Sequence, residues 1–239
     1  MGLMEMIGLG PKLPRLQKKA MEKFGPPENR QGAIEELGAM HTEEALDALL
    51  LRYTFRVDPG ITDDEEKARV LALVTEAGQT ALPSVKKFIT SRDEISWPLR
   101  ALTALLPEAE VVKFLVETAH REATQYSRVP EKKKLLLHAL AQHKDATINA
   151  AALPFLDDMD DDIVIAAAEV IVKQLDDAGR EPLIGQFLKA HEAGNARVRE
   201  ALAGLLADSG WDVKGFTPKV EAALPPSYKL DSKGKVQRK

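Results

Sequence analysis

The chain has 239 residues, 44% hydrophobic, 5% aromatic and 29% charged, with no cysteine and a formal net charge of −4. That apolar content supplies a real core and argues against disorder throughout, while the missing thiols exclude a disulfide framework, thiolate catalysis and zinc–cysteine clusters. Residues 1–224 hold 28 basic against 36 acidic side chains and residues 225–239 hold five against one, so the body lacks the positive excess that a duplex-binding domain carries.

The first ten residues, MGLMEMIGLG, crowd Met1, Leu3, Met4, Met6, Ile7 and Leu9 into a short apolar stretch. They lack a basic n-region and are interrupted by Glu5, which is not the pattern of a secretory signal, and Met6 stands where an N-myristoylation motif needs Ser or Thr. No run approaches the roughly 18 apolar residues of a membrane span. The expected location is therefore cytoplasmic. Residues 1–27 are expected to cap the exposed end of the helices after residue 28, with contact to another molecule as the alternative use of an adaptable Met-rich surface.

From residue 28 two kinds of helix alternate. NRQGAIEELG (29–38), EEKARVLALVTEAG (65–78), PLRALTALL (98–106), KKKLLLHALAQ (132–142), DIVIAAAEVIV (162–172) and ARVREALAGLLADSG (196–210) carry apolar residues at helical spacing, several with Ala where a neighbouring helix must come close. Between them recurs a second phrase: EEALDALLL (43–51), QTALPSVKKF (79–88), PEAEVVKFLV (107–116), NAAALPFL (149–156) and REPLIGQFL (180–188). Aligning Leu46, Leu82, Val112, Leu153 and Leu183 gives steps of 36, 30, 41 and 30 residues, a repeat of about two helices. Thr62 and Glu65 have capping-box spacing, Pro98 falls in a first turn behind Ser96, and Gly38, Gly78 and Gly210 stand where helices should stop. Pro83, Pro154 and Pro182 fall early in their helices, where a missing N–H costs nothing.

The alternation of "ALPxL" second helices with "DxxVRxxA" first helices resembles HEAT-repeat proteins, particularly the bacterial HEAT-like repeats related to phycobilisome lyase subunits. ALPFLDDMDDDIVIAAAEVI and EPLIGQFLKAHEAGNARVREALAGLLADSG carry the resemblance best, and it covers roughly residues 28–210. The pattern's arginine is present as Arg30, Arg100 and Arg199 and replaced by Ile165; the unit at 95–122 fits poorly. The resemblance implies an all-α right-handed α-α superhelix of five to six helix pairs, with the second helices lining a concave side. The expected division is an N-terminal cap (1–27), a repeat domain (28–224) and a basic, extended tail (225–239).

Candidate chemistry is sparse. In DDMDDDIVIAAAE (157–169), Asp158, Asp160, Asp162 and Glu169 match positions 1, 3, 5 and 12 of a calcium loop. Position 6 needs Gly for a left-handed backbone and is Ile163, so Asp160 to Asp162 are read instead as the cap of a helix whose buried face begins at Ile163. His138 and His143, five apart, cannot share a helix face, and His41, His120 and His191 fall in different units. No metal site or cofactor is expected. Some HEAT-like proteins are DNA glycosylases for alkylated bases, a role in which Trp97 and Trp211 would act with Asp93 or Asp212. A lyase-like chaperone of a pigment-bearing protein is a further alternative. Trp97 and Trp211 read more simply as packing residues.

The remaining signal is surface charge. Residues 86–134, with Lys132, Lys133 and Lys134, hold ten basic against seven acidic side chains, and residues 145–177 hold one against nine. The expectation is a non-catalytic protein-binding scaffold or adaptor that uses another protein or peptide segment as partner, nucleic acid being disfavoured. Its contact surface is predicted at Arg52, Lys86, Lys87, Lys113, Glu117 and Arg121, with an acidic pole at Asp157, Asp158, Asp160, Asp161 and Asp162.

Overall fold

The computed structural model describes residues 12–125 and 130–239. It is helical, with thirteen α-helices and one two-stranded sheet among the described residues, and none of these helices is long and apolar enough to cross a membrane. The chain divides into two units, residues 1–111 and 112–239. The division falls inside one helix, α7 (Glu108–Ala123).

In the first unit, α1 (Lys12–Ala20) packs on α2 (Pro27–Gly38) and α3 (Glu43–Leu50). Helix α2 lies beside α4 (Gly60–Glu76) and α4 beside α6 (Ser96–Leu105), while α3 lies beside α5 (Leu82–Ser91). Helices of like kind therefore neighbour one another, first with first and second with second. Their apolar stripes explain the arrangement: Ala33, Ile34 and Leu37 of α2 and Val70, Leu73 and Val74 of α4 recur at three- and four-residue spacing and are buried. Thr42 caps α3 by accepting from the Ala45 N–H at 3.3 Å.

Two helix ends differ from expectation. Helix α4 starts at Gly60, behind Pro59, whose carbonyl accepts from the Thr62 and Asp63 N–H groups, so Thr62 lies inside the first turn and caps nothing. Gly38 is the last residue of α2 and not a left-handed stop: a Cβ there would lie 2.7 Å from the Leu73 side chain, so its role is to let α4 approach. Gly78 and Gly210 do take the left-handed conformation, at φ +60° and +67°.

In the second unit, α8 (Glu131–Leu140), α10 (Asp161–Gln174) and α12 (Ala196–Ser209) lie side by side. Helix α9 (Ala146–Ala152) runs into a 3₁₀ turn, Leu153–Asp157, that packs on α10; α11 (Arg180–Glu192) packs on α12, and α13 (Thr217–Ala223) on α11. Helix α10 is buried on most of its circumference, from Ile163 to Val172, as its apolar run demands.

Residues 225–239 are not extended. Strands β1 (Tyr228–Leu230) and β2 (Val236–Arg238) pair antiparallel, with Tyr228 opposite Arg238, and β2 packs on α12. The Asp231 carboxylate accepts from the Lys233 and Lys235 N–H groups, both at 2.8 Å, and Gly234 turns the chain at φ +75°. Val236 is buried, and Arg238 grips Asp208 of α12 through two nitrogens, at 2.5 and 3.0 Å. One of the tail's five positive charges is thus paired with Asp208 of α12.

Candidate functional site

The sequence pattern places a charged layer where apolar stripes would otherwise continue. The buried face of α4 runs back from Val74 to Val70 and then reaches Lys67, Glu66 and Asp63. The Glu66 carboxylate accepts from Arg30 of α2 (Nη2 at 2.7 Å, Nε at 2.7 Å) and from Arg52 (Nε at 2.7 Å). Arg52 also donates to Asp63 at 2.6 Å, and Lys67 donates to the other Asp63 oxygen at 2.7 Å. All five side chains are at most 8% exposed. Burial pushes the Asp63 carboxyl up, but hydrogen bonds from Lys67, Arg52 and the Val57 N–H outweigh it and hold the group below its ordinary value.

Arg52 is therefore not the exposed contact residue that helical phase indicates. Helix α3 ends at Leu50, and Arg52 sits in the following 3₁₀ turn, Leu51–Thr54, where the α-helical phase no longer applies and the side chain turns inward. Its guanidinium also lies 4.5 Å from the centre of the Phe55 ring.

Beside this layer Tyr53 stacks on Trp97, with centroids 6.0 Å apart and planes within 7°, and the Arg100 guanidinium lies 4.5 Å from the Trp97 ring centre. Burial pushes the Tyr53 phenol up, so it stays neutral. Tyr53, Lys67, Asp63, Ser96 and Trp97 line a cleft of about 330 Å³. Trp97 is engaged in packing, as is Trp211, which is 9% exposed. Asp212 receives Arg180 at 3.2 Å and the Lys214 N–H at 3.0 Å, while Asp93 is exposed.

Of the other predicted contact residues, Lys87 on α5 is exposed and bonds Asp47 of α3 at 2.6 Å. Lys86 is half-buried on the same helix. Lys113, Glu117 and Arg121 follow at four-residue steps on α7 and are all exposed, with Arg121 donating to Thr118 Oγ1 at 3.3 Å. They form one polar ridge along that helix.

The acidic loop is a capped turn laced to its neighbours. Asp160 accepts from the Asp162 and Ile163 N–H groups at 2.9 and 3.3 Å and is the N-cap of α10. Lys133 bonds Asp158 at 2.7 Å, Lys189 bonds Asp157 at 2.6 Å, Asn195 bonds Asp161 at 2.8 Å, and Arg197 bonds Asp162. The five aspartates are consequently no unopposed pole. Nor is the lysine run a positive surface: Lys132 and Lys133 lie on the inward stripe of α8, paired with Glu122 at 2.6 Å and with Asp158. His41, His120, His138 and His191 are exposed and His143 is half-buried. Among the described residues no group of three or more His, Asp or Glu side chains converges as metal ligands would.

A cationic surface lies on α1, where the overall charge pattern gives no sign of it. Lys12, Arg15, Lys18 and Lys19 share one side of α1, opposite a buried stripe of Leu13, Leu16 and Ala20. Lys12 bonds Glu36 at 2.7 Å, and that hydrogen bond, with the charges of Lys12, Lys19 and Arg15, holds the Glu36 carboxyl below its ordinary value. The signal is present in the sequence as basic residues at three- and four-residue spacing. The Met-rich residues before it, Met1 to Leu9, lie outside the described residues.

The chain matches no protein-family model and no curated protein. A buried ion layer ties α2 and α4 to the turn after α3, and charged side chains stand exposed along α1, α5 and α7.

Proposed function

We propose that this protein is a non-catalytic scaffold or adaptor, a right-handed solenoid of five to six HEAT-like helix pairs that holds an extended segment of a partner protein. The supporting observation is the neighbour pattern within each unit, where like helices lie side by side. Their cross-links repeat that period: Arg69 to Glu35 spans 34 residues, Lys87 to Asp47 spans 40, Lys189 to Asp157 spans 32 and Asn195 to Asp161 spans 34. Repeats that bury their core between neighbours leave a long concave surface, lined by the second helices, for recognition. The proposed contact residues are Lys86 and Lys87 on α5 in the first unit and, separately, Lys113, Glu117 and Arg121 on α7 in the second, without Arg52.

The test is affinity purification of the full chain beside a Lys113→Glu/Arg121→Glu variant. A discrete protein partner captured by the parent and lost by the variant is the expected result. Capture that survives charge reversal at these positions and at Lys87 overturns the proposed surface. Small-angle scattering checks the solenoid separately, an elongated particle being expected and a compact sphere ruling it out.

A further inference from the structure

We propose that the basic side of α1, with Met21 and Phe24 just beyond it, is a docking surface for an anionic membrane leaflet. Residues 12–24 hold five basic side chains, Lys12, Arg15, Lys18, Lys19 and Lys23, against one acid, Glu22, in a chain whose net charge is −4. Four of the five are exposed and Lys19 is half-buried. The acid facing this group from the helix packed against it, Glu36, is held by Lys12.

Charge alone would suit any polyanion; the apolar side chains decide the class. Phe24 is 95% exposed and Met21 37%, at the end of the same basic helix, and the Lys23 ammonium lies 5.5 Å from the centre of the Phe24 ring. A duplex phosphate backbone or an acidic peptide takes the cations and leaves the ring in water, and single strands stack on rings set in a groove that tracks their backbone, whereas Phe24 stands alone on a turn, 95% exposed. A bilayer interface takes both, with ammonium groups at lipid phosphates and the ring and thioether below the headgroups. The apolar stripe of α1 is already buried within the protein through Leu13, Leu16 and Ala20. The helix therefore lies on the leaflet by its basic side, and only Phe24 and Met21 enter it.

The inference is independent of the scaffold reading, because its test needs no protein partner. The full chain is sedimented with phosphatidylcholine vesicles with and without phosphatidylserine. Binding is expected only when phosphatidylserine is present, weakened by at least about thirtyfold by Arg15→Glu/Lys18→Glu, which removes two cations and adds two carboxylates. Phe24→Ala, with every charge kept, is expected to weaken it about tenfold. All three side chains are exposed, so circular dichroism should be unchanged in each variant. Absence of binding to the anionic vesicles overturns the proposal. So does binding that charge reversal removes and Phe24→Ala leaves intact, which would mark a surface for soluble polyanions.

Discussion

Arg30 and Glu66, 36 residues apart and on adjacent helices of like kind, form a two-point ion pair in which both side chains are at most 2% exposed. Glu66 simultaneously receives Arg52, so one carboxylate ties together α2, α4 and the turn after α3. Removing it leaves two buried guanidiniums without their shared acceptor, and such a loss costs about 3–5 kcal/mol. Glu66→Ala is accordingly expected to lower stability by about that amount in urea denaturation. The contrast lies on the surface, where Glu35 and Arg69 make an equally good two-point pair with both side chains about half exposed. Glu35→Ala should change stability by no more than about 1 kcal/mol.

Acid sensitivity should centre on Asp63. Its folded-state value lies below its ordinary 3.8, so its stabilising contribution is complete above about pH 5 and is lost as pH falls through the lowered value. Thermal melts from pH 6 downward should show a loss that Asp63→Asn, already destabilised at neutral pH, shares less steeply. Equal slopes for the two proteins below pH 4 would place the acid sensitivity elsewhere.

Two glycines of α2 should respond to alanine with opposite sign. At Gly38 the added methyl meets Leu73 at 2.7 Å, and forcing α2 from α4 is expected to cost about 1–3 kcal/mol. At Gly32 nothing lies within 4 Å and the residue is inside the helix, so Gly32→Ala should stabilise by about 0.5–1 kcal/mol. Paired denaturant curves measure both.

The helix segments are legible in the sequence because each buries a stripe of apolar residues whose spacing survives there; 162–172 and 196–210 coincide with α10 and α12 to within a few residues. The acidic loop is legible for a local reason, since Ile163 cannot take the backbone a calcium loop requires and Asp160 is well placed to cap. Arg52 is misplaced by helical phase because a helix that tightens into a 3₁₀ turn rotates its next side chains away from the extrapolated face, and its partners Asp63 and Glu66 belong to the following helix. Lys132 and Lys133 mislead for a related reason: a lysine run looks solvated until the carboxylates opposite it are known. Strands of three residues in the tail are too short for alternation to register against a basic, polar background.

That tail supplies the last prediction. If residues 225–239 were an extended appendage, trypsin would remove them at Lys229, Lys233 or Lys235 without unfolding anything. In the hairpin, Val236 is 2% exposed, the Val213 N–H donates to the Gly234 carbonyl at 2.8 Å, and the Lys239 N–H donates to the Ser227 carbonyl at 2.9 Å. These contacts join the tail to α12 and to the segment before α13, so its loss should be felt by the unit. Val236→Ala is expected to cost about 1–2 kcal/mol from the methyl groups removed. Val236→Asp should release the strand altogether, because a carboxylate cannot be buried there without a partner. The measurement is limited trypsinolysis followed by mass spectrometry: the parent chain should keep its C-terminus at protease levels that trim Val236→Asp, and equal trimming of both would show that the hairpin does not hold.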